Sequence, residues 1–149
     1  MPANNYSLNL SFGNAHEIAH FWWSNAPVHN WEDWLNEAFA EYSALVFMRE
    51  RFGAKEFDRL INEYKGKTKD TPAIWGIDRQ SQEAYVILYF KGSLILSELE
   101  KKLGEEQFFA LLNNILNHNI NSTDGLLKLI SSEVSEDVSK WLENELKTR

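Results

Sequence analysis

The chain has 149 residues, 44% of them hydrophobic and 13% aromatic, enough apolar material for one domain with its own core and too much for intrinsic disorder. A formal net charge of -7 argues against a nucleic-acid partner, because phosphates are met by clustered Lys and Arg; apolar runs such as Val86 to Phe90 and Leu94 to Leu96 are too short to span a bilayer. With no cysteine, disulfides, thiolate metal sites and cysteine nucleophiles are excluded.

Met1 to Ser11 carries no basic region followed by an apolar run, so no signal peptide is legible and the compartment stays open. Helical periodicity dominates thereafter, with no convincing alternating strand. A first helix rich in aromatics is expected over residues 11–24, ended by Asn25-Ala26-Pro27. Within it His16-Glu17-Ile18-Ala19-His20 fits H-E-x-x-H. Residues four apart share a helix face, so both imidazoles can reach one ion, while Glu17 stands beside it as a proton acceptor for zinc-bound water. The bland alternative is a pair of histidines satisfied in the core.

A second helix is expected over residues 32–52, stopped by Gly53, and a third over 55–64, followed by a polar loop over 65–79. The second contains Trp34-Leu35-Asn36-Glu37-Ala38-Phe39-Ala40-Glu41. The fourth, over 81–103, is the most apolar and is expected at the centre of the bundle; it holds Tyr85, Tyr89 and Gly92, where another helix could approach closely. Gly104 ends it. A fifth comes next over 105–117 with Phe108, Leu111, Leu112 and Ile115 on one face, then shorter helices over 123–131 and 136–147. There is no repeat and no linker: residues 1–149 read as a single all-α domain.

Taken together, His-Glu-Ile-Ala-His-Phe-Trp, then Trp-Leu-Asn-Glu-Ala-Phe-Ala, then Tyr89-Phe90-Lys91-Gly92-Ser93 and Leu103-Gly104-Glu105-Glu106 resemble the aminopeptidase-N-like zinc metallopeptidases, the gluzincins of peptidase family M-one, from about residue 11 to 142. The resemblance implies a helical bundle corresponding to the zinc-carrying half of a thermolysin-like catalytic domain. It also implies one zinc ion on His16, His20 and Glu37, Glu17 as general base, and Tyr89 as the phenol that stabilises the oxyanion, with Tyr85 one turn earlier as its competitor. Glu41, one turn after Glu37, is either a carboxylate that fixes a histidine tautomer or a solvated helix residue; Asn36 is placed with it in support of the ligands. Three departures stand out. Residues 21–36 make a connection two residues shorter than usual, Ala38 replaces a glycine, and Phe90 replaces a glutamate.

His29 and His118 read as surface residues, and Trp22, Trp23, Trp31 and Trp34 as packing around the zinc helices. No G-x-M-E-N segment, the family's amine-recognition element in a β-rich lobe, precedes the zinc helix. The expectation is therefore a piece of a larger catalytic domain whose upstream β-rich lobe is absent: a zinc-dependent peptidase acting on a peptide substrate, aminopeptidase first, with the piece alone inactive. The competing expectation is a helical zinc-binding or metal-free module for binding or assembly.

Overall fold

A computed structural model of the chain describes residues 5–148. Seven α-helices succeed one another: α1 (Asn5–Ala19), α2 (Trp34–Phe52), α3 (Ala54–Lys67), α4 (Gly92–Leu103), α5 (Glu105–Asn117), α6 (Thr123–Glu133) and α7 (Glu136–Lys147). A 3-10 turn, Trp31–Asp33, leads into α2, and a π-helical stretch, Val86–Lys91, leads into α4. No strand occurs among the described residues, in keeping with the all-α expectation, and none of their helices is long and apolar enough to cross a membrane.

Local chemistry sets the boundaries. The Asn30, Ser122 and Ser135 side chains accept hydrogen bonds from the backbone N–H groups of Glu32, Gly125 and Val138, capping the 3-10 turn, α6 and α7. Gly53 and Gly104 take φ of 95° and 83°, which other residues avoid, and each separates two helices by a single residue. The first helix differs most from the sequence expectation. It is already helical at Asn5, the first described residue, well before residue 11, and it stops at Ala19 instead of residue 24. Beyond Ala19 the chain turns back on itself through bonds from Phe21 N to Ile18 O and from Trp23 N to Ala19 O.

The connection from α1 to α2 is short but well tied. Asn36 donates to Ala26 O (3.0 Å) and to Asp33 Oδ1 (2.8 Å), and its own Oδ1 accepts from Ala26 N (3.0 Å). Asn25 adds a bond to Asn119 O. Buried Asp33 receives Arg79 Nε at 2.8 Å, which draws the loop after α3 onto the start of α2. Lys91 fixes the other end of that loop by donating to Thr71 O and Pro72 O, while Trp31 packs against Trp75.

The core lies around α2 and the π-α4 element, so the expected central helix shares its place. α2 packs on α1, α3, α4 and the π stretch; α4 also meets α5 and α7. Trp34, Ala38, Ala40, Ala44 and Leu45 of α2 are fully buried. Trp23 is buried as expected, whereas Trp22 is 58% exposed and packs less than the sequence suggests.

One buried polar cluster braces the bundle. Tyr42 donates to Glu100, and Arg49 grips the same carboxylate with two bonds of 2.8 and 3.1 Å. Glu100→Ala removes the acceptor of the buried Tyr42 hydroxyl and the two-bond partner of half-buried Arg49, so urea denaturation is expected to show a loss of about 2–3 kcal/mol.

Candidate metal centre

Two helices build the site. His16 in the last turn of α1 and His20 in the turn just past its end stand one turn apart on the side toward α2, where the Trp23 ring packs against Phe39. On α2, Glu37 projects from the first turn into the same space. His16 Nε2 lies 3.1 Å from His20 Nε2 and 3.4 Å from Glu37 Oε2, and His20 Nε2 lies 3.3 Å from that oxygen. Tetrahedral ligands about 2.1 Å from a zinc ion lie about 3.4 Å apart, so this triangle has the dimensions of one zinc-binding face.

The hydrogen bonds decide which nitrogens are free. His16 Nδ1 donates to Glu41 Oε2 at 2.6 Å, and His20 Nδ1 donates to the carbonyl of Trp23 at 2.9 Å. Nε2 is therefore the atom that each ring turns inward. Glu37 Oε2 is buried there with no hydrogen-bond partner. Three electron-rich atoms that point at one spot, one of them an orphaned carboxylate oxygen, are poorly placed for each other and well placed for a cation. Among the described residues no other group of His, Cys, Asp or Glu has metal-ligating geometry. The set of two imidazoles and a carboxylate is one that zinc takes in catalytic sites, where a fourth position is left to water.

The electrostatics agree. Burial opposes a charge on His16, yet the Glu37 and Glu41 carboxylates outweigh it and push its pKa up to about 9, so the potential at the donors favours a positive charge. Burial likewise opposes ionisation of Glu37, but His16, Tyr89 and His20 hold its carboxyl below the usual range.

The remaining candidates divide clearly. Glu17 is exposed beside His16 and makes no hydrogen bond or ion pair among the described residues. Tyr89 lies parallel to the His16 ring at 5.6 Å, and burial together with the Glu37 carboxylate pushes its phenol well above the ordinary value. Tyr85 stacks outside Tyr89 at 4.3 Å and is 54% exposed, so Tyr89 is the tyrosine beside the donors. Glu41 is 4% exposed, which rules out a solvated helix carboxylate. Asn36, expected to support the ligands, makes its side-chain hydrogen bonds to Ala26 and Asp33 and staples the α1–α2 connection instead. The short connection leaves α1 and α2 aligned because that staple holds it, and His29 and His118 are exposed, away from the donors.

Sequence reasoning does not identify Tyr64, whose hydroxyl donates to Glu41 Oε1, nor Asp33 with Arg79. Only Asp33, three residues before Asn36 on a helical start, leaves any signal in the spacing.

Residues 11–144 match the Peptidase family M1 domain. The chain belongs to that family. Curated relatives include the Probable aminopeptidase 1 of Sulfurisphaera tokodaii, 29% identical over 91% of this M1 chain and 20% of that protein. Endoplasmic reticulum aminopeptidase 2 of Homo sapiens is 33% identical over 63% of this chain and 11% of its own length. Among solved structures, an M1 zinc metallopeptidase from Deinococcus radiodurans superposes with a TM-score of 0.75 at 23% identity, covering 91% of this chain and 32% of that one. A two-domain M1 zinc metallopeptidase bound to L-tryptophan gives 0.80 at 22% identity, over 93% and 33%. The fold is that of the helical half of an M1 catalytic domain. The chain spans about a fifth or less of the length of these curated relatives and about a third of the solved ones.

Proposed function

We propose that this M1 chain carries the zinc centre of a peptide hydrolase, aminopeptidase first, as one part of a longer protein that completes the substrate cleft. One observation carries the reading: His16 Nε2, His20 Nε2 and Glu37 Oε2 converge within 3.1–3.4 Å, with each histidine's Nδ1 committed elsewhere. A single zinc ion held by these three residues would polarise a carbonyl and acidify a water molecule.

The chain's own groups supply the rest. Glu17, exposed beside His16 and without a partner among the described residues, accepts the proton as general base. Tyr89, its phenol held above the ordinary value by burial and by Glu37, offers an O–H donor to negative charge developing on the substrate oxygen. Glu41 and the Trp23 carbonyl hold the two imidazoles in the tautomer that leaves Nε2 free.

The full-length protein tests this. Metal analysis is expected to give one zinc per chain, and Glu17→Gln is expected to keep the zinc while slowing hydrolysis of aminoacyl reporters by about a hundred- to ten-thousand-fold. Unchanged turnover in that variant would remove Glu17 from the chemistry. Residues 1–149 alone are expected to turn over little. A full-length protein that holds no zinc and cleaves nothing would favour the other reading, a helical binding or assembly module.

A further inference from the structure

We propose that Tyr64 is a positioning residue of the metal centre, holding Glu41 so that Glu41 can hold His16. The inference rests on the zinc reading above and adds a third helix to it. Tyr64 sits near the end of α3 and is 3% exposed. Its hydroxyl donates to Glu41 Oε1, while the other oxygen of the same carboxylate accepts from His16 Nδ1 at 2.6 Å.

The chemistry of a buried carboxylate gives the contact its purpose. Glu41 is 4% exposed, so water does not satisfy it, and no Lys or Arg bonds to it among the described residues. With one oxygen engaged by His16 and the other free, the group could rotate about its last torsion, and the imidazole could turn with it. A donor on the second oxygen pins both. Tyr64 is also fixed itself: its ring stacks on Phe90 at 4.3 Å, next to Tyr89 in the π stretch. The phenol is held well above its ordinary pKa, by burial first and by Glu41 second, so it stays a donor wherever the histidines can bind a metal. One side chain therefore links the ligand helix α1, the carboxylate helix α2 and the segment that bears Tyr89.

The distinction from a merely structural tyrosine can be measured on the full chain, with zinc alone as the probe. Tyr64→Phe keeps the ring and its stack on Phe90 and removes only the hydroxyl. Chelator competition is expected to show zinc affinity falling about tenfold, the range typical for residues that support ligands, with the visible absorption of the cobalt(II)-loaded chain altered as well. Glu41→Gln is expected to lower affinity by about ten- to a hundredfold, and adding Tyr64→Phe to it should then cost nothing more. If the phenylalanine variant folds poorly, 3-fluorotyrosine at position 64 keeps ring and hydroxyl but donates more strongly, and is expected to shift the cobalt band.

Wild-type zinc uptake with an affinity indifferent to Tyr64→Phe would overturn this inference alone, as would an equal loss in the Glu41→Gln background. An unshifted band with 3-fluorotyrosine would do the same. A folded wild-type chain that takes up no zinc, and behaves like His16→Ala, would overturn the metal centre and the inference with it.

Discussion

Glu37→Gln is expected to reduce zinc affinity by more than about a hundredfold, beyond the usual cost of losing a residue that only supports a ligand. The substitution changes neither length nor shape, so the effect isolates charge. Glu37 Oε2 is the buried oxygen without a hydrogen-bond partner, 3.4 and 3.3 Å from the two ligand nitrogens. An amide there offers a neutral oxygen in place of an anionic one, or turns its N–H groups toward the imidazole lone pairs and fills the space with donors. Both outcomes remove the negative charge that the two histidines lack. Stability without zinc should change by only about 1 kcal/mol, because the position is half-buried and loses interactions no stronger than single hydrogen bonds. Chelator competition and a thermal melt in the presence of chelator together check the prediction: near-normal zinc affinity would mean that Glu37 is not a ligand.

Gly92→Ala is expected to be the most disruptive single methyl in the fold. A Cβ on Gly92 would stand 2.5 Å from Ala38 Cβ, and that atom is anchored to the α2 backbone, so no side-chain rotation relieves the overlap. Alanine gains about 1 kcal/mol in helix propensity, but overpacking costs more, and a net loss of about 1–3 kcal/mol is expected. Site geometry should suffer as well. Ala38 comes directly after Glu37, and Gly92 lies three residues after Tyr89, so parting the two helices parts the ligand from the phenol. Adding Ala38→Gly restores the space, and the double variant should recover most of the stability that Gly92→Ala loses. Urea denaturation of both single variants and the pair gives the coupling; additive losses would show that the helices do not meet as described.

The two motifs are legible because each is local. His16 and His20 share a helix face by spacing alone, whereas Glu37 is singled out through the likeness of Trp34-Leu35-Asn36-Glu37 to the family's pattern, itself a short stretch. Glu41 can be placed on the face of Glu37, though only its burial decides between water and His16. Less is legible where partners lie far apart in sequence. Nothing in the chain joins residue 41 to residue 64, or residue 33 to residue 79; those contacts exist because α3 folds back on α2 and the loop after α3 crosses the start of α2.

The boundaries of α1 differ from the sequence expectation for two separate reasons. The Asn5 to Leu10 turn is rich in Asn and Ser, which weaken a helical signal that tertiary contact restores. At the other end, His20-Phe21-Trp22-Trp23 has helical character, but the Trp23 carbonyl is needed at His20 Nδ1, and a continuing helix would have kept that carbonyl pointing along its own axis. Asn36 departs from its expected role because adjacency to Glu37 in sequence puts it about 100° around the helix, facing the connection and not the metal.

The π-helical turn at Val86–Lys91 bears on how this chain lines up with its kin. An α-helix rotates about 100° with each residue, and a π turn accommodates an extra residue without advancing the phase of the helix beyond it. Upstream, Ala84 faces the core; downstream, Gly92, Leu96 and Leu99 do. Between them the surplus residue lets Tyr89 turn toward His16 while Leu88 and Phe90 stay buried. Removing one residue from this turn would preserve every apolar position after it and swing the phenol away from the donors. Such a deletion would look harmless in an alignment of hydrophobic patterns and would be fatal to the register that joins Tyr89 to Glu37.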